Sequence, residues 1–175
     1  LTAGEGTVYI DPYSFGGGDI EHYICYFKHD FRPSEEKKMV CDVIGTPVNI
    51  DDFNPGVNTS SFFGSCDLRT YRLALSATGE YTTFHGGTVV LAQAAQVTTM
   101  NRVNGVYERD MAVHMNIVAN NDLIIYTNSG SDPFSNGNTG AMINENQTNT
   151  DNVIGSANYD IGHIFGTNSG GLAGL

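Results

Sequence analysis

Hydrophobic positions along this chain recur with two different periods, and each change of period predicts a change of element. Over residues 71–77 every second residue is apolar, which is typical of a β-strand. The apolar Ala74 between them indicates a strand covered on both faces. Thr88 then fits the N-cap of a helix, because the apolar residues that follow recur every three or four positions: Val90, Ala94, Val97, Met100, Val103 and Tyr107.

Residues 111–118 return to a period of two, so the segment reads strand, helix, strand. Such a segment predicts a right-handed βαβ unit with its two strands parallel in one sheet. The glycines Gly79, Gly86 and Gly87 predict a turn before the helix. A second helix fits residues 144–158, and alternation over residues 161–166 predicts another strand. The expected fold class is α/β, with a mixed, mostly parallel sheet and helices against it.

The N-terminal part of the chain shows short alternating runs instead. Residues 7–11 predict a strand that ends at Pro12, and residues 21–31 predict its hairpin partner after a glycine-rich turn. Residues 39–44, with Cys41 in their middle, fit a third strand. This part is therefore expected to be rich in β structure.

A cluster of Pro, Asn, Asp, Gly and Ser over residues 46–67 indicates a junction between two parts of the chain. We therefore divide the 175 residues into a β-rich segment with its linker, residues 1–66, and an α/β unit, residues 67–175. A hydrophobic fraction of 40% with 15% charged residues is that of a globular protein.

The charge balance excludes some partners. Eight Lys and Arg residues against 19 Asp and Glu give a formal net charge of −11, which repels nucleic acid and anionic lipid surfaces. Acidic loops can hold Ca²⁺, although they also serve simple solubility. No apolar run approaches the roughly 20 residues needed to span a bilayer. The first ten residues also lack the pattern of a signal peptide, so an export signal would have been removed or lie upstream.

Local motifs for catalysis are missing from the printed sequence. None of the five histidines forms an i, i+4 pair or an H-x-H, so a zinc site cannot be assembled from neighbouring residues. The serines lack a G-x-S-x-G elbow, and Gly16–Gly18 is not followed by a phosphate-loop lysine. The three cysteines are an odd number. At least one is therefore free, bonded beyond residue 175, or a metal ligand.

Two stretches carry a resemblance to a known family. Residues 68–122, LRTYRLALSATGEYTTFHGGTVVLAQAAQVTTMNRVNGVYERDMAVHMNIVANND, and residues 157–175, ANYDIGHIFGTNSGGLAGL, resemble bacterial secreted reprolysin-like zinc metalloproteases, which are metzincins. The resemblance implies a parent in which zinc polarises a water molecule that a glutamate deprotonates. Because the motif H-E-x-x-H-x-x-G-x-x-H is absent from these residues, we expect this chain alone to be inactive.

The resemblance also implies site residues. Gly171, Leu172 and Ala173 would lie on or beside an edge strand that pairs with an extended peptide substrate, or would simply end a strand before a turn. The first region looks like the end of a propeptide, whose thiolate can occupy the open position of zinc. Cys41 is the better-placed thiol and Cys25 the weaker, while Cys66 could pair with a cysteine beyond residue 175.

The expected partners follow from this resemblance. They are a peptide or protein substrate and the remainder of the same polypeptide, with zinc in the parent enzyme and calcium as an additional candidate ion. The expected location is secreted or at the cell surface. The alternative from another class is a non-catalytic secreted interaction or assembly domain on the same scaffold, because a fold does not fix a function.

Overall fold

The computed structural model describes residues 6, 8–13, 21–30, 41–44, 67–168 and 170–174. Short 3-10 helices follow β2, β5 and α3. The strands and helices in chain order are β1 (Val8–Pro12), β2 (Tyr23–Phe27), β3 (Cys41–Ile44), β4 (Arg69–Ala77), α1 (Gly79–Phe84), α2 (Val89–Met111), β5 (Val113–Ile117), α3 (Thr139–Val153), β6 (Ile161–Phe165) and β7 (Gly171–Gly174).

The centre of the fold is a three-stranded parallel sheet in the order β5-β4-β6. Both faces of β4 are covered, as the sequence predicts. On one face Leu73 and Leu75 pack against Met100 of α2, and on the other Ala74 packs against Ile124 and Ile154. The expected α/β fold with a parallel sheet is confirmed.

Helix α2 begins where the sequence predicts, because the Thr88 side chain accepts a hydrogen bond from the Leu91 N–H. Its buried face is not the one that the apolar pattern indicates. Val90 and Val97 are 75% and 45% exposed, and of the predicted set only Met100 is buried. The buried residues of α2 are Ala92, Gln96, Met100 and Asn104.

Buried amide side chains explain this difference. Asn121 accepts from the Leu75 N–H at 2.7 Å and donates to the Leu75 carbonyl at 2.9 Å, beyond the point where β5 stops pairing with β4. Gln96 donates to the same carbonyl and accepts from Asn121. Asn104 pairs in the same way with both main-chain groups of Met115. Main-chain groups that lack a strand partner are thus satisfied by side chains.

Several element boundaries differ from the prediction, most clearly the start of α1 and the two ends of α3. Gly79 was expected in a turn, but it is the first residue of α1, and Thr78 is the N-cap of that helix. Gly79 is required there because an added Cβ would lie 2.2 Å from the Ser129 nitrogen. Helix α3 begins at Thr139, five positions before the predicted start, because Asn138 caps it by accepting from the Ala141 N–H.

The N-terminal strands confirm the predicted hairpin, because β1 and β2 pair antiparallel with Val8 opposite Phe27. Strand β3 does not join this hairpin and pairs in parallel with β7. The predicted junction up to residue 66, and Cys66 with it, lie outside the described residues. Within the described ranges no helix has the length and apolarity needed to cross a membrane.

Candidate functional site

The main candidate site is the strand pair formed by β3 and β7. Its register places Cys41 opposite Gly171, and the next two positions of β3 opposite Leu172 and Ala173. Within the described residues β7 has no other strand partner. The structure therefore brings together two sets of residues that the sequence singles out separately: the proposed peptide-binding edge and the cysteine of the N-terminal region.

The turn between β6 and β7 is fixed by a side chain from a distant loop. Asn136 donates from Nδ2 to Thr167 Oγ1 at 3.0 Å and accepts from the Thr167 N–H at 3.2 Å. Gly166 allows this approach, since an added Cβ would lie 2.6 Å from Asn136 Oδ1. At the far side of the turn, Gly170 has φ +134°, a conformation that strongly favours glycine, and the chain then enters β7.

The loop that carries Asn136 is itself anchored at two points. Both carboxylate oxygens of Asp132 accept main-chain hydrogen bonds, from the Gly79 N–H at 2.7 Å and from the Phe134 N–H at 3.0 Å. Glu145 of α3 accepts from the N–H and hydroxyl of Ser135 at 2.7 and 2.6 Å. These contacts link the end of β4 and the helix α3 to the turn that leads into β7.

A row of aromatic rings lies next to the end of β4. His163 meets Phe165 edge-on at 5.3 Å between ring centroids, Phe165 contacts Tyr81 at 5.3 Å, and Tyr81 contacts His85 at 4.4 Å. Burial raises the pKa of Tyr81 to about 12 and lowers the pKa of His85. Desolvation by surrounding protein atoms also lowers the pKa of His163, although this residue remains exposed to solvent. In both residues the shift favours the neutral imidazole.

The described residues do not fit a zinc site. Among them, no group of three or more His, Cys, Asp or Glu side chains is close enough to hold a metal ion. His114 is engaged by Glu108 and Asn116, and Cys25 is an exposed free cysteine on β2. We therefore derive no reaction step through zinc from this part of the chain.

An α/β unit with a parallel sheet, a long helix and a short strand beyond the sheet is the architecture expected of a metzincin-like protease domain. The family model for Metallo-peptidase family M12B Reprolysin-like, Reprolysin_4, matches residues 67–174. The chain belongs to this family, whose members are metallopeptidases. Neither the curated proteins nor the solved structures that were compared gave a match.

Sequence reasoning missed the residues that position the site. Asn136 and Asp132 belong to a loop, 128–140, that is rich in Asn, Ser and Gly, so their composition indicates a turn and nothing more specific. The one available signal was Asp132-Pro133, since an aspartate beside a proline often accepts main-chain hydrogen bonds in a turn. His85 and His163 also take part in packing, because each makes a ring contact with an aromatic side chain.

Proposed function

We propose that this chain is the front part of a secreted zinc-dependent endopeptidase, and that β7 is the edge on which the peptide substrate lies. The observation that carries the proposal is the pairing of β7 with β3 along Gly171, Leu172 and Ala173. An extended segment of the same chain occupies that edge, so the edge accepts an added strand.

Strand addition suits an endopeptidase because main-chain hydrogen bonds hold a peptide without demanding particular side chains. The small residues Gly171 and Ala173 also leave room beside the strand. The loop anchored by Asp132 and Asn136 would keep the edge in place while peptides exchange. Rigid support of this kind improves positioning at a reacting bond.

In the same proposal, residues 1–66 act as a propeptide and β3 as its inhibitory strand. Occupation of β7 by β3 excludes a substrate from the same main-chain groups. Cys41, at the Gly171 end of this strand pair, would supply the thiolate that blocks zinc in the complete enzyme. Cys25 is less suited to that role, because it lies on the hairpin rather than on the strand that pairs with β7.

The zinc ligands themselves would come from a segment outside these 175 residues, and this chain alone is expected to be inactive. The pairing of β3 with β7 is also compatible with the alternative function, a non-catalytic interaction or assembly domain. An edge that accepts one strand in the chain itself can accept a strand of a partner protein.

The decisive experiment starts from the coding sequence beyond Leu175. If it encodes H-E-x-x-H, the longer protein is expressed and its cleavage of an unstructured protein is measured with and without a chelator. We expect chelator-sensitive cleavage that rises at least about fivefold with Val43→Pro, since proline removes a donor and disrupts strand pairing. Val43→Thr, which preserves strand preference, is the matched control.

The outcomes of these measurements distinguish the endopeptidase from the non-catalytic interaction domain. Cys41→Ser tests the thiol apart from the strand, because it leaves the main-chain pairing intact. A stop codon after Leu175, or no cleavage by any variant, rejects the protease. Binding of an unstructured peptide by the Val43→Pro chain in that case supports the interaction domain.

A further inference from the structure

The outward side of α2 contacts the N-terminal hairpin through one arginine. Arg102 forms an ion pair with Asp11 of β1, and its guanidinium lies 4.8 Å from the centre of the Tyr9 ring. The Asp11 side chain is only 14% exposed and the Arg102 side chain 39%. This pair is therefore better shielded from water than an ordinary surface ion pair, and a cation–π contact adds to it.

Both oxygens of the Asp11 carboxylate are used. One accepts from Arg102, and the other accepts from the Tyr26 hydroxyl at 2.6 Å. Tyr26 also contacts the Tyr9 ring at 5.8 Å between centroids. The two strands of the hairpin and the helix are thus joined at one point, and the carboxylate is satisfied on both sides.

A second basic residue of the helix, Arg109, lies about two turns beyond Arg102. Its guanidinium donates hydrogen bonds to its neighbour Asp110 on the same helix. A cavity of about 230 Å³ lies between the hairpin and the helix. It is lined by residues of both, including Val8, Lys28, Gly105 and Val106. The ion pair of Arg102 with Asp11 is therefore the main polar contact described between hairpin and helix, and the two are incompletely packed beside it.

We propose that this face of α2 is a docking surface for the N-terminal hairpin, residues 8–30, and that it retains the hairpin when the chain is cut between β2 and β3. Charge complementarity favours the hairpin as the occupant, because the helix presents Arg102 to a strand that presents Asp11. The proposal concerns binding alone. It therefore stands or falls independently of peptidase activity.

The test introduces a specific protease site at residues 34–38 of the full chain and cuts it under native conditions. Size-exclusion chromatography with mass spectrometry then measures whether the hairpin piece elutes with the remainder. We expect co-elution for the otherwise unchanged chain. In Arg102→Ala we expect dissociation to be at least about tenfold more favourable, the effect of losing a shielded ion pair and a cation–π contact.

Two variants make the test specific. Arg109→Ala removes the same charge from the same helix without touching Asp11, and should retain most of the hairpin. Exchange of the two charges, Asp11→Arg with Arg102→Asp, should recover part of the binding lost in Arg102→Ala. Circular dichroism of each uncut variant checks that the chain is folded.

Any one of the following results would overturn the proposal: separation of the pieces in the unchanged chain, equal retention in Arg102→Ala, or equal release in Arg109→Ala. Higher salt should weaken retention of the unchanged hairpin, because screening acts on the partly exposed charges. Retention that does not depend on salt would also contradict the proposed ion pair.

Discussion

The N-terminal strands and the strands of the family-matched unit are stabilised by different contacts. In β4, Leu73 is 2% exposed and Leu75 is fully buried, and helices or loops cover both faces. In the hairpin, Ile10 and Tyr23 are 66% and 63% exposed, and the described contacts with α2 are mainly electrostatic. Core burial and buried hydrogen bonds dominate one region, and strand pairing and surface charges the other.

This difference teaches which contacts can be exchanged without loss of the fold. Apolar burial is worth roughly 25 cal/mol per Å² and cannot be replaced by water. Main-chain pairing at an exposed edge and partly exposed ion pairs are worth less, because water competes for the same groups. A region held in the second way can therefore separate while the first remains folded.

Hydrogen exchange gives the largest expected effect. Amides of β4 should exchange at least about a thousandfold more slowly than those of β1 and β3, because their opening requires the unfolding of the core. Mass spectrometry of peptides from each strand measures the rates. Equal protection in β3 and β4 would mean that the two regions unfold together, and would contradict the expected difference in their stability.

A buried amide in the family-matched unit gives the next largest effect. Asn121→Ala leaves both main-chain groups of Leu75 without this partner, and should lower the free energy of unfolding by about 3 kcal/mol. The exposed neighbour Asn120→Ala is the control and should stay within about 0.5 kcal/mol. Urea denaturation measures both, and a loss below 1 kcal/mol for Asn121→Ala would show that another group replaces the amide.

Two glycines distinguish open space from close packing. Gly105 lies within α2, and an added Cβ would meet no atom within 4 Å. Gly105→Ala should therefore stabilise the chain by roughly 0.5–1 kcal/mol. Gly79→Ala should destabilise it, since the new Cβ would overlap the main chain of Ser129. Thermal denaturation of both variants, compared with the unchanged chain, tests the two signs.

Two histidines should change the pH dependence of stability in opposite directions, with the smallest effect. Desolvation lowers the pKa of His163 below 6.5, so the unfolded chain binds the proton first and stability falls as the pH drops below that value. The hydrogen bond that the His114 ring donates to the Glu108 carboxylate raises the pKa of His114 above 6.5, so its contribution to stability is present below that pH and lost as pH rises.

The matched variants are His163→Gln and His114→Gln. Between pH 7 and pH 5, His163→Gln should lose less stability than the unchanged chain, and His114→Gln should lose more. Urea midpoints at the two pH values measure the slopes. Parallel slopes in all three proteins would indicate that neither histidine couples folding to protons.

The elements that could be predicted are those with a strong local signal. The helical period of α2, its Thr88 cap and the alternation of β4 and β6 each depend on residues that are close together in the sequence. The buried face of α2 could not be predicted, because Gln96 and Asn104 count as polar in any hydrophobic pattern. They are buried only because main-chain groups of β4 and β5 are there to bond them.

The candidate site was predictable in part. The resemblance pointed to Gly171–Ala173 and to Cys41, but neither pattern contains the information that β3 pairs with β7. A four-residue alternation specifies a strand without specifying its partner. The sequence also does not predict that Asn136 anchors the β6–β7 turn, since asparagine is common throughout the loop that carries it.

By itself the sequence determined the α/β class, the order of the central strands and helices along the chain, and the family to which residues 67–174 belong. The tertiary structure alone decided which strand lies on β7, which amides enter the core, and where the hairpin meets α2. The reason is physical: periodicity and capping act over a few neighbouring residues. Strand partners and buried polar groups depend on contacts between distant segments, which exist only once the chain has folded.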